Sequence, residues 1–291
     1  MRFGRGDILL AVVTFIWGGT FLITKLSLAQ IGPFGFLAAR FGVGALALVL
    51  LRVRSLRKMT RLEWRAGIAT GLAVFAGYAL QTVGLEHTTS SKSAFLTAMY
   101  VPLVPVLQLA LFKKRTSLEA GLGALVSFVG LALLCIKTGE GFALGIGEWL
   151  TLAASVASAI QILLISRHAE ETDPIRMGIV QLGLVTVLSL MTMPFAGEVF
   201  PRFSPELISA TLGMGILGTA FALAGMNWAQ RTVPATRASL LFALEPVWAG
   251  LLGAAVGEDL APTAIVGSAL IIVGTVVAEI KISALKRWRS A

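Results

Sequence analysis

The sequence predicts an all-α membrane protein: ten transmembrane helices arranged as two inverted five-helix repeats around a central cavity. Three observations predict it. Composition is the first, with 56% hydrophobic and 13% charged residues and a mean hydropathy of +0.86, whereas a soluble domain carries about a quarter charged residues. The apolar residues also gather into ten runs, each near the roughly 20 residues that cross a bilayer. Finally, a pattern written between Gly71 and Ile136 is written again 144 positions later.

The runs are Ile8 to Leu26, Pro33 to Leu51, Trp64 to Gly84, Ser93 to Phe112, Leu118 to Ile136, Glu148 to Ser166, Ile175 to Phe195, Leu207 to Gln230, Ala238 to Gly257 and Pro262 to Ile282. The first has the outline of a cleavable signal peptide, with Arg2 and Arg5 before it and Ser27-Leu28-Ala29 after it. Its apolar core is too long for one, and its counterpart, Glu148 to Ser166, lies mid-chain, so it reads as a retained helix.

The repeat aligns Gly71/Gly215, Ala76/Ala220, Thr88/Thr232, Pro102/Pro246, Gly123/Gly267 and Gly130/Gly274, while Pro33 and Arg40 answer to Pro174 and Gln181 at an offset of 141. The copies lie five spans apart. Five being odd, they run in opposite directions through a membrane. Two similar halves of opposite orientation can exchange shapes and expose a midplane site to either side in turn, the arrangement of secondary transporters. Residues 1–140 and 145–291 are the two expected halves, with a boundary near Gly139 to Gly147, and no Pro-, Ser- or Gly-rich linker separates them into independent domains.

The net charge of +9 follows alternate loops. Nineteen Lys and Arg residues fall at the amino terminus, in the even-numbered connections and in the tail, against four, Lys25, Lys92, Lys137 and Arg202, on the other side. By the positive-inside rule both termini lie in the cytoplasm of a cell whose inner membrane holds the chain. The basic loops are short and lack interleaved aromatic residues, so no nucleic-acid role is expected. Cys135 is the single cysteine and His87 and His168 the only histidines, which leaves no intrachain disulfide and no expected metal or other cofactor. No phosphate-cradling Gly-x-x-x-x-Gly-Lys-Ser/Thr run occurs. Movement of a cargo would therefore be facilitative or coupled to an ion gradient. Trp64, Trp149 and Trp288 stand at span ends, where indoles favour the headgroup region. Gly67-x-x-x-Gly71, Gly141-x-x-x-Gly145 and Gly253-x-x-x-Gly257 have the spacing of close helix packing.

Trp17-Gly18-Gly19-Thr20-Phe21, Ala39-Arg40-Phe41, and the stretch Leu241 to Gly257 with Glu245-Pro246 and a closing Gly257-Glu258 resemble the EamA-type branch of the drug/metabolite transporter superfamily, over nearly the whole chain. The resemblance implies ten helices in two inverted bundles, a cavity lined by spans 1, 3, 4, 6, 8 and 9, and export of small metabolites. Within the family the chain most resembles the exporters of amino acids, aromatic ones included.

Independently of that likeness, polar residues recur at helical spacing inside apolar spans. Ser93, Thr97, Tyr100, Val104 and Gln108 keep one face of span 4. Tyr78 and Gln81 share a face of span 3, Thr14, Trp17, Thr20 and Thr24 drift around span 1, and Ser155, Ser158 and Gln161 lie in span 6. Unsatisfied polar groups in hydrocarbon cost several kcal/mol each, so they should converge. Trp17, Thr20, Tyr78, Gln81, Thr97, Tyr100, Ser158, Gln161, Asn227 and Trp248 are the candidate pathway residues, with interhelical hydrogen bonding the competing reading for the Ser and Thr hydroxyls and core packing for Trp17 and Trp248. Spans 5 and 10, almost bare of polar groups, are expected to face lipid or a second copy.

Charges inside spans need a partner or a job. Glu245 reads as a proton-coupling or substrate-sensing carboxylate or as a structural acceptor, Arg40 as a structural charge, a fixed ion pair being one form of it, and Lys25 as a snorkelling side chain or an attractor of carboxylates. Pro102, Pro105 and Pro246 are candidate kinks. Few cations fall inside the expected cavity, which suits a zwitterionic or neutral amphipathic cargo better than a phosphate ester needing Arg or Lys clamps. The alternatives are a carrier for nucleotide sugars or organic phosphates and, from another class, a non-transporting membrane sensor or assembly protein.

Overall fold

A computed structural model of the chain describes residues 4–88, 90–135, 145–255 and 262–279. Helices α1 (Arg5–Ser27), α2 (Pro33–Leu51) and α3 (Arg61–Glu86) are followed by α4 (Ser90–Thr97), α5 (Tyr100–Phe112) and α6 (Leu118–Cys135). The second half holds α7 (Ile146–His168), α8 (Pro174–Thr192), α9 (Pro205–Gly213), α10 (Ala222–Ala229), α11 (Ala235–Phe242), α12 (Glu245–Ala255) and α13 (Pro262–Glu279). Seven segments among the described residues are long and apolar enough to cross a membrane; α6, α13 and the broken pair α11 and α12 supply the remaining expected spans. The fold is that of an all-helical, multi-pass membrane protein. Its surface is greasy in keeping: Leu50 is 70% exposed and Leu118 80%, while Arg40, Gln181 and Asn227 are buried, the reverse of a water-soluble helix bundle.

Helix starts follow local chemistry. In α3, Thr60 and Glu63 form a reciprocal capping box, Thr60 N donating to Glu63 Oε2 at 2.8 Å and Glu63 N to Thr60 Oγ1 at 3.2 Å. In α8, Asp173 Oδ1 accepts from the N–H groups of Ile175 and Arg176, both at 3.0 Å, and Pro174 takes the first helical position, where its missing N–H is not needed. Glycines precede α1 and α7, and the acid three residues on satisfies each of them: Gly4 N donates to Asp7 Oδ2 at 2.8 Å and Gly145 N to Glu148 Oε2 at 2.9 Å. Those acids also bind across the bundle. Asp7 pairs with Arg237, ahead of span 9, at 2.8 Å, and Glu148 accepts from Thr88 Oγ1, ahead of span 4, at 2.6 Å. On the basic face Glu63 holds Arg176 at 2.6 Å.

Two spans break where proline removes a donor and crowds the carbonyl a turn earlier. Span 4 divides between Thr97 and Tyr100, a turn before Pro102, and span 9 between Phe242 and Glu245, just before Pro246. Pro105 is carried inside α5. Span 8 departs from expectation: between α9 and α10, Met214–Phe221 is a π-helix, a widened form of helix frequent at functional sites. Spans 5 and 10 pack closely on each other, α6 against α13. A Cβ at Gly130 would lie 2.6 Å from the Gly267 carbonyl oxygen, and one at Gly274 would lie 2.6 Å from that of Gly123, so only glycine allows this approach. Their remaining faces, including Leu122, Leu125, Ile265 and Ile272, are exposed.

Trp64 and Trp149 are half exposed at span ends; Trp288, Gly141, Gly257 and Glu258 lie outside the described residues. Gly67 lets α3 approach Val180 of α8, and Gly71 approaches Gln181, so the first small-residue spacing is a helix contact.

Candidate functional site

A small cavity lies at the centre of the bundle. Trp17, Thr20 and Phe21 of α1, Gly77, Tyr78 and Gln81 of α3, Thr97 of α4 and Tyr100 of α5 form one part of its wall, and Ser158, Gln161 and Ile162 of α7, Met226 of α10, Phe242 of α11 and Glu245 of α12 the other. Its volume is about 50 Å³, room for a few waters at roughly 10–15 Å³ each.

The polar groups of the wall are partly paired with one another. Gln81 Nε2 donates to Thr97 Oγ1 at 3.0 Å, Gln161 Nε2 to the Met226 sulfur at 3.7 Å, and Thr20 Oγ1 to the carbonyl of Trp17 at 2.8 Å. Tyr100 Oη lies 3.5 Å from Glu245 Oε2, at the outer limit of hydrogen bonding. Rings fill the space between. Trp17 and Phe242 have centroids 5.4 Å apart, and Phe242 meets Tyr100 edge-on at 6.4 Å. Among the residues lining the cavity, Glu245 alone carries a formal charge, and it makes no ion pair with the described residues.

Arg40 supports this wall without lining it. Its Nε donates to Thr219 Oγ1 at 2.7 Å and its NH2 to the Gly218 carbonyl at 3.1 Å, both in the π-helix, and the guanidinium lies 5.2 Å from the centroid of Tyr78. Trp17 Nε1 donates to that same Gly218 carbonyl at 3.0 Å. The widened turn of span 8 thus fixes both the indole of the wall and the cation behind Tyr78. No ion pair of Arg40 is found among the described residues: neutral acceptors of the π-helix and an aromatic face hold it instead. Arg40→Lys keeps the charge but not the fork, and it is expected to cost about 1–2 kcal/mol of stability, read as a lower unfolding midpoint in detergent.

Eight of the ten candidate pathway residues line the cavity; Asn227 and Trp248 do not. Asn227 Nδ2 donates to Gln181 Oε1 at 2.8 Å, and Gln181 Nε2 to Thr70 Oγ1 at 2.8 Å, a closed buried network that joins α3, α8 and α10. Trp248 Nε1 donates to Thr14 Oγ1 at 3.2 Å, and its ring meets Phe15 edge-on at 5.5 Å, tying α12 to α1. Lys25 Nζ caps the end of α3, donating to the carbonyls of Leu85 and Glu86 and of Thr88 just beyond the helix, rather than reaching into the cavity or snorkelling free. The side chain of Lys92 lies outside the described set. Gly18 of the Trp-Gly-Gly-Thr run has a backbone reason, since a Cβ there would come within 3.0 Å of the Glu245 carbonyl oxygen. Phe21, Gly77, Ile162, Met226 and Phe242 were not anticipated. Phe21 and Gly77 stand one helical turn from Trp17 and Gln81, so spacing could have found them; Ile162, Met226 and Phe242 are apolar letters in apolar spans.

Comparison with known proteins decides the family, since the EamA-like transporter family matches residues 4–136 and again residues 145–279. The chain belongs to the EamA-like transporter family. It is 30% identical to an uncharacterized transporter of Archaeoglobus fulgidus over 95% of this chain and 86% of that protein. It is 23% identical to the uncharacterized transporter YyaM of Bacillus subtilis over 94% and 92% of the two chains. One crystal structure shares the fold with a TM-score of 0.77 at 17% identity, covering 94% of this chain and 96% of that one. This member of the EamA-like family is a multi-pass membrane transporter.

Proposed function

We propose that the chain exports amino acids and related small metabolites across the cytoplasmic membrane by alternating access, with two inverted halves rocking about the central cavity and both termini in the cytoplasm. The observation that carries this is the cavity wall: six expected spans converge on it with amide, hydroxyl and aromatic groups and a single carboxylate, and no Lys or Arg lines it. That lining does not suit a phosphate ester or nucleotide sugar, which calls for cationic clamps. A volume of about 50 Å³ is far below the roughly 300–1,000 Å³ of ligand sites, so cargo enters only when the halves part.

Reciprocal contacts support the inverted arrangement. Gly215 packs on the backbone of Arg40, and its repeat equivalent Gly71 packs on Gln181, the equivalent of Arg40. Gly6 meets Thr232 and Gly147 meets His87, at opposite ends of the bundle. Gly130 with Gly267 mirrors Gly274 with Gly123, and the family matches the chain twice.

The test is counterflow of labelled amino acids in proteoliposomes, with and without an imposed proton gradient; flux inhibited by phosphate esters and indifferent to amino acids would refute the reading. Two substitutions refine it. Tyr100→Phe keeps the packing on Phe242 and should leave stability within about 1 kcal/mol while slowing exchange several-fold, and Gln81→Leu should behave alike. Loss of folding in proportion to loss of flux would make them packing residues instead. Tyr100→Ala is a poorer probe, because the side chain is buried and its removal opens a void.

A further inference from the structure

The lone carboxylate of the cavity says more about the cargo, given the transport reading above. Glu245 is 8% exposed and faces the cavity. One of its oxygens has the Tyr100 hydroxyl at 3.5 Å, and no ion pair compensates the group among the described residues. A buried carboxylate with so little support is costly, and a cation entering beside it removes that cost. The surroundings suit an organic cation rather than a metal ion, because the rings of Trp17, Tyr100 and Phe242 close the space around it, and an ammonium group is drawn to aromatic faces as well as to the carboxylate.

The wall offers no equivalent for an anion. Arg40 stands behind Tyr78, outside the lining, with its Nε on Thr219 and its NH2 on the Gly218 carbonyl, and Lys25 is committed to the end of α3. The amides of Gln81 and Gln161, which donate to Thr97 and Met226, are neutral and do not balance an anion's charge. A carboxylate on the cargo would meet Glu245 with no Lys or Arg in the wall itself to offset the repulsion, the Arg40 guanidinium being held behind the Tyr78 ring.

We infer that the cavity selects a monocationic amine carrying an apolar or aromatic body, the ammonium paired with Glu245 and the body against the rings, in preference to the zwitterionic amino acid of the same side chain.

Calorimetric titration of the purified, full-length protein in detergent at pH 7 with phenethylamine, phenylalanine and 3-phenylpropionate presents one ring as cation, zwitterion and anion. Phenethylamine is expected to bind at least tenfold more tightly than phenylalanine, with 3-phenylpropionate undetected, and Glu245→Gln to weaken the amine at least tenfold without moving the unfolding midpoint. Phenylalanine binding as tightly as the amine, or an amine affinity indifferent to Glu245→Gln, would overturn the inference. Should that variant not fold, the order of the three ligands on the unmodified protein decides alone. Exchange in proteoliposomes separates this from the transport reading: amine binding with no flux of any cargo sinks the transport reading and upholds the site, and amino-acid flux with no amine binding does the opposite.

Discussion

Glu245→Gln is expected to remove the pH dependence of cargo exchange and to slow exchange at pH 7 by about tenfold or more, a change worth at least ~1.4 kcal/mol in the barrier to exchange. The groups that face this carboxylate narrow the cause. Tyr100 of α5 approaches it directly, Tyr78 of α3 lines the same wall, and Arg40 of α2 stacks on Tyr78. Phenols titrate near 10 and an arginine keeps its proton throughout. Glu245 is then the group of the wall whose protonation answers to pH. Protonation cancels its attraction for an ammonium, so exchange by the unmodified protein should fall as pH falls. A glutamine, shaped like the protonated acid, should give a low and flat profile. Initial rates of counterflow at a series of matched internal and external pH values measure this, and a profile for the Glu245→Gln variant parallel to that of the unmodified protein would take the carboxylate out of the cycle.

Legibility in the sequence followed the physics of each signal. Polar side chains in hydrocarbon must converge, so Tyr78, Gln81, Thr97, Tyr100, Ser158 and Gln161 could be gathered from spacing alone, and they share one cavity. Asn227 obeyed the same rule and still went elsewhere. A buried amide is satisfied as well by Gln181 as by a cargo, and letters do not say which partner is nearer. Trp248 was ambiguous for a like reason, and a hydroxyl at Thr14 claimed its indole. Proline kinks could be read because the missing donor is written in the residue, and both broken spans part just ahead of Pro102 and Pro246. The π-helix could not. Gly213, Gly215 and Gly218 permit it, but what engages its Gly218 carbonyl is a pair of donors, Trp17 and Arg40, that come from 201 and 178 residues away. Arg40 is the structural charge its depth suggested, but the ion pair that the rule of opposite charges offers for it is not what holds it: a helix carbonyl, a hydroxyl and an aromatic face together serve instead.

The contact of α6 with α13 allows the inverted arrangement to be tested without any cargo. Gly130→Ala is expected to lower stability by about 3 kcal/mol, the upper end of the overpacking range, because its Cβ would meet backbone atoms, the Gly267 carbonyl oxygen at 2.6 Å and Ile271 N at 2.9 Å, which cannot swing aside as a side chain would. Gly274→Ala meets backbone likewise, the Gly123 carbonyl oxygen at the same 2.6 Å and Ser127 N at 2.7 Å, and in addition the Ser127 hydroxyl, a side-chain end that can rotate away. If the two halves are related by a twofold axis that passes between these helices, the two substitutions wedge one seam from its two ends and should cost the same. Once one methyl has forced the helices apart, the second has less to displace, so the double variant should fall short of the sum. Gly121→Ala is the control: its Cβ has nothing within 4 Å, and replacing a helical glycine there should gain up to about 1 kcal/mol. Unfolding midpoints of the four variants in one detergent give the ranking. Unequal single effects, or strictly additive ones, would mean that the seam is not a symmetric contact and that the repeat in the letters is not repeated in the packing.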